Sequence, residues 1–215
     1  MGNDIMFLLQ TTYSYPLSLK RLYDIQMHPQ LIQNISKHVQ LSPKEKGLFD
    51  TFWTEKTLHK GDYLLRNGEV CKNDNYIISG ALKAFYINSD KGKEEILYFS
   101  IDDWWATDIL SFQRQRPSLY NIQALEETRL LQINYQSFQN MLVAIPKLER
   151  YFRVILEVYL GSLQRRIIVG NTYDAAYRYS TFLKDYPKIV QKVPQYLIAS
   201  YLGVSPEFIS RIRKK

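Results

Sequence analysis

The chain holds a single cysteine, Cys71, in 215 residues. That excludes an internal disulfide, a cluster held by four thiolates and an all-cysteine zinc site, and it suits a reducing compartment, so the expected location is the cytoplasm. Histidine is nearly as scarce: His28, His38 and His59 are scattered, with no His-x-His pair and no His-Glu-x-x-His stretch to hold a metal. A Gly-rich phosphate loop and a nucleophile elbow are also missing. No catalytic residue, metal or cofactor is therefore expected. Nowhere do about eighteen apolar residues run together, as a membrane-spanning helix needs. The N-terminus carries Asp4 where a signal peptide has a basic start, and no membrane partner is expected.

What is present begins with a hydrophobic content of 46%, enough for one large domain and a small one, each with its own core. The net charge of +7 is unevenly placed: residues 150–215 hold 12 Lys and Arg against 4 Asp and Glu, whereas residues 1–149 hold 16 against 17. A neutral front and a basic back suit a sensor joined to a nucleic-acid reader, because phosphate contacts supply most non-specific affinity.

The basic excess coincides with the one segment whose spacing names a task. Ile198, Ala199 and Leu202 share a face of a short helix, with Ala199 small enough to admit a second helix. Gly203 suits a left-handed C-cap, Ser205 can cap the next helix, and Pro206 fits a first position where no backbone N–H is needed. That second helix turns Phe208, Ile209 and Ile212 inward and leaves Glu207, Ser210, Arg211, Lys214 and Lys215 outward, the side that enters a major groove. A plain helical hairpin shares this spacing, and the charge on the same segment favours DNA. A membrane-surface helix fits Ala199, Gly203 and Ser205 less well.

Upstream, residues 1–26 form an arm of uncertain status, either a real N-terminal arm or a stretch before a true start at Met27. A first amphipathic helix is expected over 27–39, with Leu31, Ile32, Ile35 and Val39 on one face. Ser42-Pro43 opens a second, with Leu48, Phe49, Phe52 and Trp53 sharing a face. From Thr57 short strands alternate with turns, at Tyr63–Arg66, Tyr76–Ile78, Leu82–Ile87, Glu95–Ser100, Tyr120–Ala124 and Arg129–Ile133, which predicts an antiparallel sandwich or barrel. Ser137–Val143 turns helical. After Pro146, Leu148, Phe152, Ile155, Tyr159, Leu163 and Ile167 form one apolar stripe, with Leu156 and Leu160 beside it. Such a stripe lies on its own β-domain or on a second copy. A helix joining two domains has little of its own chain to cover it, so these residues are expected at a homodimer interface. Gly170 is expected to end the helix, Asp174–Tyr186 to form another, and Pro187–Pro194 to be a connection. The 17 tyrosines are assigned no function.

This order of parts resembles the Crp/Fnr superfamily of bacterial transcription regulators, in a short, wingless branch common in Bacteroidetes-type bacteria. The matching residues are His59-Lys-Gly-Asp-Tyr-Leu-Leu-Arg-Asn-Gly-Glu69, the Ile77–Gly80 turn, Lys91-Gly-Lys-Glu94, Ala124-Leu-Glu-Glu-Thr128, the helix after Pro146 and the helix-turn-helix. The resemblance implies an α+β chain: an antiparallel β jelly roll of the cyclic-nucleotide-binding-domain kind at 27–145, a dimerisation helix at 146–170 and an all-α helix-turn-helix domain at 171–215. It implies double-stranded DNA, a second copy of the chain, RNA polymerase and an unknown small-molecule effector as partners. Ser205, Pro206, Glu207, Ser210, Arg211, Arg213, Lys214 and Lys215 are the candidate DNA-binding residues. The positions that meet bases in the family fall on Pro206, Glu207 and Arg211; Glu207 can accept from a cytosine amino group and Arg211 can bond twice to a guanine edge.

The effector pocket departs from the family pattern. Cyclic-nucleotide binders carry a Gly-Glu pair and, later, an Arg-Ser or Arg-Thr pair whose arginine holds the phosphate. Here those positions are Thr107-Asp108 and Ser118-Leu119, so the pocket is degenerate and cyclic AMP is not expected to bind. Arg114 and Arg116 lie nearby and are expected to be solvated, while Trp104 and Trp105 either line an apolar effector site or pack the core. The iron-sulfur and haem branches lack their cysteines and an evident histidine ligand, and Cys71 reads as a quiet buried thiol. The alternatives to a regulator are a cupin-like jelly-roll enzyme, with the C-terminal helices as an oligomerisation module, and a ligand-sensing module that does not bind DNA.

Overall fold

The computed structural model describes residues 28–90 and 92–213. The expected arm at 1–26, Met27, Lys91 of the Lys91–Glu94 turn, Lys214 and Lys215 lie outside the described residues, as does the side chain of Arg213. Among the described residues, two short helices lead in, α1 (Pro29–Ser36) and α2 (Pro43–Asp50), each with a proline in its first turn. Ser42 closes a capping box on α2: its hydroxyl accepts from Glu45 N at 3.3 Å, and the Glu45 carboxylate accepts from Ser42 N at 2.7 Å. Phe49 and Trp53 are buried as expected, whereas Leu48 is exposed, because α2 ends at Asp50 and the expected four-residue face is not one helix face.

Seven strands follow: β1 (Thr54–Leu58), β2 (Tyr63–Leu65), β3 (Asn73–Ser79), β4 (Ala81–Asn88), β5 (Lys93–Ile101), β6 (Asn121–Ala124) and β7 (Thr128–Asn134). They form two antiparallel sheets, ordered β1-β7-β3 and β2-β6-β4-β5. Strand β1 escapes sequence reading because Thr54-Glu-Lys-Thr is polar and exposed, with only Leu58 buried. Gly80 makes the β3–β4 turn possible: its φ is 120°, and a Cβ there would meet Thr128 Oγ1 at 2.4 Å. The short helix α3 (Ile109–Arg114) lies between β5 and β6, and α4 (Tyr135–Ala144) follows β7.

Strand β4 is buried on both faces, which is why it reads as a nearly continuous apolar run. One face, with Leu82 and Ala84, joins the core between the sheets and the lead-in helices. The other, with Ala81, Phe85 and its β5 neighbours Ile96, Phe99 and Ile101, is covered by the C-terminal helices. Those are the long α5 (Leu148–Thr172), α6 (Ala175–Asp185), α7 (Pro187–Lys192), α8 (Gln195–Leu202) and α9 (Pro206–Arg213). Phe182, Ile189, Leu197 and Ile198 supply most of that cover, and each fully buried side chain of this size stabilises by about 1.5 to 3 kcal/mol.

Three expectations change here. Gly170 does not end α5, which continues to Thr172 before Asp174 caps α6 through Tyr177 N at 2.8 Å. The segment expected to be a plain connection at 187–194 contains α7, opened by Pro187. The apolar stripe of α5 also divides. Leu148 is fully buried, and Phe152 and Ile155 pack on the β-domain core of their own chain, so these three do not form a free face. Leu156, Leu160 and Ile167 are exposed, with Leu163 half-buried among them. Among the described residues no helix is long and apolar enough to cross a membrane.

Candidate nucleic-acid interface and effector pocket

The helix-turn-helix is built by local chemistry. Gly203 ends α8 in the left-handed conformation, φ 67°, and Val204 N donates back to Ala199 O at 3.0 Å, satisfying an orphan carbonyl of the helix end. The Ser205 hydroxyl accepts from Phe208 N at 3.2 Å and so caps α9 behind Pro206. Ala199, fully buried, lets α9 approach, and Ile209 fills the contact. Phe208 and Ile212 are half-buried beside it, while Ser205, Pro206, Glu207, Ser210 and Arg211 are exposed. The Glu207 carboxyl is held below its ordinary range by its own backbone N–H and the Ser205 hydroxyl, with Lys93 nearby. Arg211 lies 5.6 Å over the Phe208 ring.

This unit is fastened to the β-domain along the edge strand β5. Ser200 donates to Glu94 O at 3.1 Å and accepts from Ile96 N at 3.3 Å. Arg166 of α5 donates to the carbonyls of Leu97, Ile96 and Tyr201 and stacks on the Tyr201 ring at 4.0 Å. Lys192 pairs with Asp102 at 2.9 Å and Glu126 at 3.1 Å. These groups cap an otherwise open sheet edge and set the position of α9. None was singled out in the sequence, since each depends on a partner some 35 to 106 residues away.

Of the degenerate pocket residues, the fold gathers three. Ser118 and Asp108 are both buried and bonded to each other, and Asp108 also accepts from Ser111 N at 3.0 Å, capping α3. The Thr107 hydroxyl donates to Asp74, and the Thr107 carbonyl accepts from Tyr98 at 3.2 Å and Tyr120 at 3.4 Å. Leu119, by contrast, is 80% exposed and takes no part in the pocket. Arg114 and Arg116 are exposed, so neither supplies the missing cation. Tyr98 stands edge-on to Tyr120 and Tyr159, at 6.2 and 6.4 Å between ring centres, and burial raises the pKa of all three phenols. Two of the tyrosines left without a role in the sequence thus crowd the space beside Thr107. Trp105 is half-buried against Trp53, Tyr76 and Phe152, and Trp104 reaches the surface against Tyr186. Cys71 is buried, and desolvation pushes its thiol up to about 11.

Comparison with known proteins agrees with this geometry. Residues 55–144 match the cyclic nucleotide-binding domain family. The chain is 25% identical to the transcriptional activator protein FnrA of Stutzerimonas stutzeri over 170 residues, 73% of this chain and 68% of that protein. It is equally 25% identical to the transcriptional activator protein Anr of Pseudomonas aeruginosa, with the same coverage. Among solved structures, FixK2 from Bradyrhizobium japonicum shares the fold at a TM-score of 0.66 and 16% identity, over 75% of this chain and 83% of that one. The catabolite activator protein of Thermus thermophilus shares it at 0.53 and 17%, over 81% and 83%. With its two-sheet domain, its long helix and its closing helix-turn-helix, the chain is similar to Crp/Fnr-type transcription regulators, and its residues 55–144 match the cyclic nucleotide-binding domain that they share.

Proposed function

We propose that the protein binds double-stranded DNA as a homodimer in the cytoplasm, reads sequence with α9, acts on RNA polymerase, and has no enzymatic activity. The observation that carries the DNA reading is the two-sidedness of α9: Ile209 is 1% exposed against α8, while Glu207, Ser210 and Arg211 are exposed. Arg211 is the guanine-reading residue and Glu207 the cytosine-reading one. Arg213, Lys214 and Lys215 add phosphate contacts. Its similarity to transcriptional activator proteins supports the regulatory role.

The second copy packs on the outer stripe of α5. Leu156, Leu160, Leu163 and Ile167 follow one another at intervals of four, three and four, the a/d spacing of a coiled coil, and an exposed apolar face of this length needs cover. Tyr159 and the more N-terminal residues of the original stripe stay on their own β-domain. The small-molecule effector is not a cyclic nucleotide, because the phosphate site holds Ser118, already bonded to an aspartate. Fluorescence anisotropy on a selected duplex and its scrambled counterpart, at two salt concentrations, tests the reading. Equal affinity for both duplexes would overturn it.

A further inference from the structure

A half-open cavity of about 610 Å³ lies where α5 meets both domains, beside the tyrosine-filled pocket. That volume is within the range of small-molecule sites. Leu97 and Trp105 of the β-domain, Phe152 and Ile155 of α5, and Phe182 and Tyr201 of the C-terminal helices form its apolar walls. Its charged lining, Lys37, Asp74, Asp103 and Arg166, is not paired throughout. Lys37 is paired with Asp103 at 3.2 Å, and Arg166 spends its guanidinium on three backbone carbonyls. Asp74, also in the lining, makes no ion pair among the described residues; it accepts only from the Thr107 hydroxyl and from Asn75 N at 2.9 Å. A desolvated carboxylate with no cation among the described residues calls for a positive charge, and Trp105, Tyr98 and Tyr159 in the lining supply aromatic rings whose quadrupoles favour the same charge.

We infer that this cavity binds a small aromatic or otherwise apolar molecule carrying a protonated amine, with Asp74 as its counter-charge. The same features reject an anion, so the site does not take a nucleotide. A molecule held here touches β5, α5 and the helix-turn-helix domain at once, and so biases the position of α9. The binding site stands apart from the DNA-binding reading, while its role as an effector site rests on that reading.

Calorimetry of the full chain with three probes of one ring system, naphthylmethylamine, naphthylmethanol and naphthoic acid, separates the claims. The amine is expected to saturate at one per chain, with the acid weaker by about tenfold or more, the factor of roughly one desolvated ion pair. Asp74→Asn should bring the amine down to the alcohol, and Ile155→Trp, which fills the cavity, should remove all three while circular dichroism reports an intact fold. Equal affinity for amine and acid, an undiminished preference in Asp74→Asn, or no binding of any probe, as when a second copy's helix fills the cavity, would overturn the site. Anisotropy on DNA with and without the amine is read separately: unchanged DNA affinity with the amine bound would sink the effector role and leave the site standing.

Discussion

The Ser118 hydroxyl donates to Asp108 Oδ2 across 2.7 Å, and both side chains are buried. In a cyclic-nucleotide site this pair of positions would face a phosphate with an arginine. Here a neutral donor is already committed to an acid, and a phosphate arriving beside Asp108 would meet like charge without a cation. Cyclic AMP is expected to give no saturable heat at micromolar concentration in calorimetry. Saturable binding would show that another group replaces the missing arginine.

Substitutions at Arg211 and Lys214 test the proposed division between sequence reading and phosphate contact. Arg211→Ala should lose about 1 to 3 kcal/mol on the selected duplex and relax preference at one base pair in each half-site. Lys214→Ala should weaken selected and scrambled duplexes alike and flatten the salt dependence. The two half-sites should be symmetric and about one helical turn apart. If Arg211→Ala keeps full discrimination, the reading residue has been misassigned.

The division of the α5 stripe predicts two kinds of damage from one kind of substitution. Leu160→Asp with Ile167→Asp, both exposed in the single chain, should give folded monomers by light scattering. Leu148→Asp puts an unpaired charge in a fully buried place and should cost more than about 4 kcal/mol, read as a collapse of thermal stability. A wild type that is monomeric at micromolar concentration would refute the dimer.

Asp74 makes stability depend on pH. Desolvation raises its carboxyl from the ordinary 3.8 to about 6, against the hydrogen bonds from Thr107 and Asn75 that favour the charged form. The folded protein therefore holds a proton that the unfolded chain has released over the interval between those two values. Stability falls as pH rises through that window, and the full penalty is present above it. Asp74→Asn should thus stabilise by about 1 to 3 kcal/mol at pH well above 6, with the advantage fading as pH drops toward 4. Thermal unfolding of both proteins across this range checks the sign; an advantage that grows on acidification would contradict it.

Much of the local architecture was legible because its causes lie within a few residues. Ser42 and Glu45 are a capping box by spacing alone, and Gly203, Ser205 and Pro206 end one helix and begin the next for reasons of backbone conformation and orphan N–H groups. The β-domain was legible from short apolar runs between turns. Strand β1 was missed because it is an exposed edge of its sheet with a polar sequence, held by pairing with β7 and not by burial. Helix α7 was missed because six residues between two prolines carry too little periodicity to be read.

By itself the sequence determined the caps of α2 and α9 and the two faces of α9, since each follows from residue type and nearest-neighbour spacing, while the loss of a phosphate arginine at Ser118 is what the family resemblance implies. Only the tertiary structure decided which side of α5 is spent on its own β-domain, that Tyr98 and Tyr120 converge on the Thr107 carbonyl, and that Asp74 sits desolvated without a cation among the described residues. Periodicity records that a face must be buried but not against what, and a charge is balanced or left unpaired by groups that the chain brings near only when it folds.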